Sequence, residues 1–336
     1  MPAGPFASAS PTLADLRAAH ARAARHAIHT PLVRLPVDGR EIWLKLECLQ
    51  PIGSFKIRGA ANAMALAARE SLAAGVATAS AGNMAQGAAW VARAMGVPCT
   101  VVAPDHAPAA KLDALARLGA RVEKVPFARW WQVMEERSFP GLNGLFIHPV
   151  ADEAVIAGNA GIGLEILEDL PEPAAVLVPY GGGGLASGIA LALRAAGSGA
   201  PVFACEVATA APLAAAFAAG EPRTIEYRAS FVDGIGGRGV LAEMWPLVRR
   251  LLAGTCVSPL EAVAEAVRTL ATRAHVIAEG AGGASLAAAL DGAQVIDAGG
   301  RPASLPEGPI ACVISGGNID PAKLAAILDG RVPDRA

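Results

Sequence analysis

The stretch "AAVLVPYGGGGLASGIALAL", residues 174–193, constrains the fold more than any other part of this 336-residue chain. It runs twenty residues without a charge, a length that would suit a membrane-spanning helix. A proline and five glycines within it argue against that, because Gly costs ~1 kcal/mol and Pro ~3 kcal/mol inside a helix. A buried strand, a glycine turn and a buried helix fit the same residues. That trio is the building unit of a parallel sheet covered by helices.

The rest of the chain repeats the alternation. A helix is predicted from Thr12, capped with Asp15, to about His26. "EIWLKLEC" alternates as a strand should. "SFKIRGAANAMALAARE" predicts a helix with Ser54 as N-cap. "GVATAS", "PCTVVAP" and "ARVEKVP" are strands separated by the helices "MAQGAAWVARAMG" and "AAKLDALARLG", and "LFIHPV" returns the chain to a larger body. "IGLEILEDL" is a helix and "PVFACE" a strand; helices are expected at 259–273 and 281–290, and "PIACVIS" is a last buried strand. The expected architecture is α/β, with two open twisted domains sharing one cleft. The large domain is discontinuous, 1–75 plus 149–336, and the small one is 76–148. The chain stops soon after "PAKLAAILDG", so no C-terminal regulatory domain is expected.

A net charge of −2 with only 17% charged residues gives no reason to expect nucleic acid or an acidic membrane as partner. Five cysteines are scattered without a CxxC pair, which suggests buried free thiols in a reducing compartment. "MPAGPFASASPT" lacks the basic region and apolar core of a signal peptide and reads as a loose tail. A cytoplasmic protein without a membrane span is expected.

Two features point to chemistry. After the strand "AAVLVPY", Gly181–Gly184 with Leu185 and Ala186 formally satisfies GxGxxA, and Glu206 closes the next strand. An NAD-dependent dehydrogenase is therefore a rival reading. Four glycines in a row, however, supply more backbone freedom than a dinucleotide turn requires, and unhindered N–H groups before a helix also make a cup for one terminal phosphate. The second feature is "PIGSFKIRGA". It places Lys56 in the first turn of a helix, where the backbone dipole opposes its charge. A solvated surface lysine is the ordinary explanation for one such residue. The polar turns "GSFK", "SAGNMAQG", "PYGGGG" and "ISGGN" together offer an amine, a phosphate cup, two hydroxyls and an amide at strand ends, the groups that pyridoxal phosphate needs.

With these four motifs in this order, residues 28–325 resemble the fold-type II pyridoxal-phosphate enzymes (tryptophan synthase β-like), in the threonine/serine dehydratase and serine racemase group. The resemblance implies that Lys56 holds pyridoxal 5'-phosphate as a Schiff base, with Phe55 against its ring. Gly181, Gly182, Gly183, Gly184 and Leu185 would hold its phosphate, Asn83 its phenolic oxygen, and the Ser315 hydroxyl would face its ring nitrogen. A plain helix N-cap is the structural alternative for Asn83. Ser80, Ala81, Gly82, Asn83 and Gln86 would grip the substrate carboxylate. A homodimer is usual for the group.

The departures are informative. Racemases of the group carry a serine where this chain has Ala81, which moves no proton, so racemisation is disfavoured. The histidine usual after the asparagine is Met84. Glu206 and the Ala210 carbonyl match two positions of a cation site whose third, often Asp, is Pro212, so no metal is expected. "RWWQVM" places Trp130 and Trp131 side by side, a pattern of core or interface packing. With "GNMAQG" it resembles the hydroxyectoine-utilisation dehydratases. The implied reaction removes water from a β-hydroxy-α-amino acid of threonine or serine type, giving a 2-oxo acid and ammonia. Alternatives are a hydroxylated ectoine-derived substrate, a β-replacement synthase, or a cofactor-binding regulator without turnover.

Overall fold

The computed structural model describes residues 4–37, 39–107, 109–290 and 293–333. The chain begins with α1 (Leu13–Ala23), whose Thr12 and Asp15 form the expected capping box. It ends at Ala23, three residues before His26. Strands β1 (Leu32–Arg34) and β2 (Ile42–Lys45) lead through a short helical turn to α2 (Lys56–Leu66) and α3 (Arg69–Ala73). A parallel unit follows: β3 (Val76–Ala79), α4 (Asn83–Met95), β4 (Cys99–Pro104), α5 (Ala109–Arg117), β5 (Arg121–Val125), α6 (Phe127–Glu136) and β6 (Leu145–Phe146). Helices α7 (Glu153–Asn159) and α8 (Gly161–Asp169) lead into β7 (Ala175–Pro179), α9 (Gly184–Ala195), β8 (Val202–Val207) and α10 (Pro212–Ala219). The chain closes with α11 (Trp245–Leu251), β9 (Gly254–Ser258), α12 (Leu260–Arg273), α13 (Gly280–Ala289), β10 (Gln294–Asp297), β11 (Ile310–Val313) and α14 (Pro321–Leu328).

These strands make two sheets. The larger has the order β1-β2-β11-β7-β8-β9-β10, parallel from β2 to β9 with an antiparallel strand at each edge. The smaller is all parallel, β5-β4-β3-β6. Burial on both faces explains the continuous apolar runs of β7 and β11, every residue of which is buried. In the large sheet β7 is succeeded by β8 on one side, while its other neighbour, β11, arrives from the far end of the chain. Ligands in open α/β sheets collect outside the carboxyl ends of strands at such a switch point. Gly181 follows β7 there, and Ser315 follows β11.

Two sequence expectations need correction. Ser54 is not the N-cap of α2: Phe55 occupies that position, and the buried Ser54 hydroxyl has no hydrogen-bond partner among the described residues. The residues before Thr12 are not a loose tail from Gly4 onward, because Phe6 is buried in the core and its N–H donates to Glu153 Oε1 at 2.7 Å. An apolar ring that finds a pocket outweighs the entropy of a short terminal segment. Residues 1–3 lie outside the described residues. None of the described helices is long and apolar enough to cross a membrane.

Candidate active site

A cavity of about 440 Å³ opens between the two sheets. Its wall includes Phe55, Lys56, Ser80, Gly82, Asn83, Gln86, Gly181–Gly184, Leu185 and Ser315. Ala81 is half-buried beside it and does not line it. Backbone bonds explain why residues so far apart in sequence meet. Phe55 N–H donates to Ser315 O (3.1 Å), Gly317 N–H to Gly53 O (2.8 Å) and Cys48 N–H to Ile314 O (2.9 Å). The loop before α2 is thus zipped along the end of β11, which sets Lys56 next to Ser315.

Lys56 is the first residue of α2. Its Nζ donates to Pro149 O at 2.9 Å and lies 5.0 Å from the centre of the Phe55 ring. Burial pushes its pKa down to about 8, with Glu279 acting in the opposite direction. Loss of water around an ammonium favours the neutral amine. At pH 7 about one such amine in ten is uncharged, against about one in three thousand at an ordinary lysine pKa. Condensation with an aldehyde requires that form.

The turn that presents Pro149 is shaped by His148, a residue that the sequence reading passed over. Its Nδ1 accepts from Val150 N–H (3.1 Å) and Ala151 N–H (2.8 Å). Burial, with Arg137 and Lys56 nearby, pushes its pKa down to about 3, so the ring stays neutral and can accept those bonds.

The glycine turn is a cradle that side chains would fill. A Cβ on Gly182 would lie 2.5 Å from Val150, and one on Gly184 would lie 2.8 Å from the Val150 carbonyl. Gly183 has φ +93°, which L side chains rarely adopt. The first N–H groups of α9, which starts at Gly184, have no intrahelical partner and carry the positive end of the dipole. The space fits a phosphate. With an aldehyde-competent amine, a hydroxyl at Ser315 and an amide at Asn83 in the same wall, these residues fit pyridoxal phosphate.

Asn83 is not a cap. Gly82 is the N-cap of α4, and Asn83 is the first helical residue, with its side chain turned to Glu279 and Asn318. Of those two partners the sequence marks only Asn318, as the last residue of "ISGGN", and gives it no role. Trp130 lines the cavity together with Met134 and Lys111, and the half-buried indole also packs on Phe127 at 5.5 Å.

Glu206 lies outside this wall. Its Oε1 accepts from Leu213 N–H (2.8 Å), and its Oε2 from Ala214 N–H and Thr255 Oγ1 (both 2.9 Å). It serves the start of α10, while Ala210 N–H bonds to Val207 O. Burial raises the Glu206 pKa to about 7 in spite of these donors. Among the described residues no three His, Cys, Asp or Glu side chains converge on a metal position. Glu206→Ala is expected to cost about 1–2 kcal/mol in urea denaturation, as loss of a helix cap does. Chelator added to the wild type is expected to leave its stability unchanged; a chelator effect matching the substitution would indicate a cation instead.

The same placement removes the dinucleotide reading, since the acid that would meet a ribose is buried outside the cavity wall, with its oxygens spent on a helix start and the Thr255 hydroxyl. Comparison with known proteins agrees. The L-threonine ammonia-lyase of Thermotoga maritima is 37% identical over 92% of this chain and 76% of that protein. The solved structure of maize serine racemase superposes with a TM-score of 0.84 at 30% identity, covering 94% of this chain and 96% of the other. The processed form of threonine deaminase isoform 2 from Solanum lycopersicum gives a TM-score of 0.82 at 27% identity, covering 95% and 92%. The model of one family, described as "pyridoxal-phosphate dependent enzyme", matches residues 24–316, and the chain belongs to that family.

Proposed function

We propose that the protein is a lyase that removes water from a β-hydroxy-α-amino acid and releases a 2-oxo acid and ammonia. One observation carries this reading: a buried amine with a lowered pKa, Lys56, shares its cavity with the glycine cradle and Ser315, while the turn at residues 80–83 has no proton-moving side chain at Ala81. Similarity to the threonine ammonia-lyase supports the same reaction class.

Pyridoxal phosphate, when bound, supplies an aldehyde that condenses with amines and a ring that withdraws electrons from the α-carbon. Lys56 would tether it, and the Gly181–Gly184 N–H groups with the start of α9 would neutralise its phosphate. A hydroxyl at Ser315, where a carboxylate could stand, would leave the cofactor's ring nitrogen largely unprotonated, which would favour elimination over a long-lived carbanion. The N–H groups at the start of α4, with Ser80 and Gln86, would orient the substrate carboxylate. Lys56 Nζ, when a substrate amine takes its place, would accept the α-proton. The Cα–H and Cβ–O bonds would break, the proton lost from Cα balancing the departing hydroxide as water, and the released enamine would take up water to give the 2-oxo acid and ammonia. Ala81 offers no acid on the opposite face, so the α-proton is not returned with inversion.

The two sheets support a division into a discontinuous large domain, 1–75 plus 149–336, and a small domain, 76–148. Five buried free cysteines fit a reducing, cytoplasmic setting, and a homodimer is the expected assembly, to be checked by light scattering. The substrate test is an ammonia-release screen over serine, threonine and hydroxylated ectoine-derived amino acids. Borohydride reduction and peptide mapping on the same sample are expected to mark Lys56. Ammonia release without detectable D-amino acid is the expected result. Racemisation that outpaces ammonia release, or faster product formation with an added thiol, would overturn the elimination reading.

A further inference from the structure

We infer that Glu279 is a positioning residue, whose carboxylate, with the Asn318 amide on the other side, fixes the direction in which the Asn83 amide faces the cleft. The inference rests on the assignment of this cleft to pyridoxal phosphate.

Glu279 stands at the N-cap of α13 with extended backbone (φ −75°, ψ 166°), yet its side chain makes no capping bond. An acid at that position ordinarily accepts from the N–H groups of the first turn. Here Glu279 N–H donates to Gly316 O (3.0 Å), and Oε1 accepts from Asn83 Nδ2 at 2.8 Å. Asn83 Oδ1 accepts in turn from Asn318 Nδ2 at 2.8 Å. That same nitrogen also donates to Ile52 O at 2.9 Å. An ionised carboxylate only accepts and an amide nitrogen only donates. The two ends of the chain therefore leave Asn83 one orientation, with its second N–H free for an acceptor in the cavity.

The surroundings keep room for this chain of bonds. A Cβ on Gly316 would lie 2.5 Å from Glu279 Oε1 and 3.2 Å from Asn83 Nδ2, and one on Gly53 would lie 2.7 Å from Asn318 Oδ1. The bonds also join the two sheets, because Asn83 opens α4 beside the small sheet while Glu279 and Asn318 flank the large one. The Lys111–Asp233 pair, 3.0 Å apart, spans the same cleft. The charged groups that face Glu279 are Asp233, Lys111 and Lys56. Burial, then Asp233, raises its pKa to about 7, while the Asn83 bond and the two lysines act in the opposite direction. A carboxyl in either protonation state keeps one oxygen able to accept from Asn83.

The test measures the dissociation constant for pyridoxal phosphate by visible absorbance, and amide hydrogen exchange at residues 82–86 of the loaded protein. The proteins compared are the wild type, Glu279→Ala, Glu279→Gln and Asn318→Ala. Glu279→Ala is expected to bind the cofactor about tenfold or more weakly, the worth of one hydrogen bond to a charged group, and to lose protection at the start of α4. Glu279→Gln, whose side-chain oxygen still accepts, is expected to recover part of both. Asn318 is exposed, and its loss keeps the Glu279–Asn83 bond, so Asn318→Ala decides the matter if Glu279→Ala fails to fold; it is expected to move both readouts in the same direction. Folded Glu279→Ala or Asn318→Ala protein with wild-type affinity and wild-type protection would overturn the inference. A wild type that takes up no pyridoxal phosphate would instead overturn the assignment of the cleft.

Discussion

Lys56→Ala protein is expected to release ammonia from hydroxy amino acids at least about a thousandfold more slowly than the wild type, because tether and general base are lost together. The borohydride-stable adduct in the peptide that spans residue 56 is expected to disappear as well. Lys56→Arg separates charge from proton transfer. The guanidinium keeps the positive charge but cannot be deprotonated at neutral pH, so that variant is expected to be equally inactive. Folding is not the cause of the loss in this account. Among the described residues Lys56 Nζ bonds only to the Pro149 carbonyl, and its pKa is depressed by burial. In the cofactor-free protein the folded state therefore binds the lysine proton less tightly than the unfolded chain does. The associated penalty is full below about pH 8 and vanishes as pH rises through the ordinary lysine range. Removing the amine relieves that penalty, so the cofactor-free Lys56→Ala protein is expected to melt no lower than the wild type at pH 7. An alanine variant that keeps activity within tenfold would show that another group takes the α-proton.

The parts of this site that local sequence patterns reveal are those whose chemistry is local. Gly181–Gly184 stand out because four unhindered N–H groups precede a helix, and Lys56 because a cation is poorly placed at a helix start. The alternation of strands and helices exposes β3 to β5 and β7 to β8 for the same reason. The rest depends on contacts between distant segments. Glu279 looks like an ordinary helix-capping acid until the fold brings Asn83, 196 residues away, against its carboxylate. His148 carries no motif, because its role lies in two backbone N–H groups of a turn that only the tertiary fold closes. Ser54 shows the converse. Its residue type suits an N-cap, but the zipper between the end of β11 and the loop before α2 puts Phe55 at that position and leaves the hydroxyl unpartnered. Tertiary contacts override a propensity worth about 1 kcal/mol.

Arg58 has the largest expected effect on stability, and its sequence context gives no sign of it. It sits two residues after Lys56 with 1% of its surface exposed, between two fully buried acids. Its Nε and Nη2 donate to Glu47 (both 2.7 Å), its Nη1 and Nη2 to Glu165 (2.6 and 2.8 Å), and Nη2 also to Ile28 O (3.0 Å). Lys45 pairs with Glu165 at 2.6 Å, while among the described residues Glu47 has only the Thr30 hydroxyl and the Gln50 amide besides Arg58. Arg58→Met keeps the bulk but leaves Glu47 without a cation. Breaking one side of a buried pair costs about 3–5 kcal/mol, and that loss is expected in urea denaturation at pH 7. Burial of a carboxylate left without a cation favours its protonated form, so the destabilisation is present above the ordinary carboxylate range and falls away as pH drops into it. The gap between variant and wild type is therefore expected to narrow on going from pH 7 to about pH 5. Adding Glu47→Gln to Arg58→Met is expected to recover part of the loss at pH 7. Because α2 begins at Lys56, release of its first turn should also move the amine, and a shift of about 1 Å can cost about a hundredfold in rate. A loss below about 1 kcal/mol, or one that grows toward acid pH, would mean that water already reaches Glu47 and Glu165 and that α2 is held by its apolar face instead.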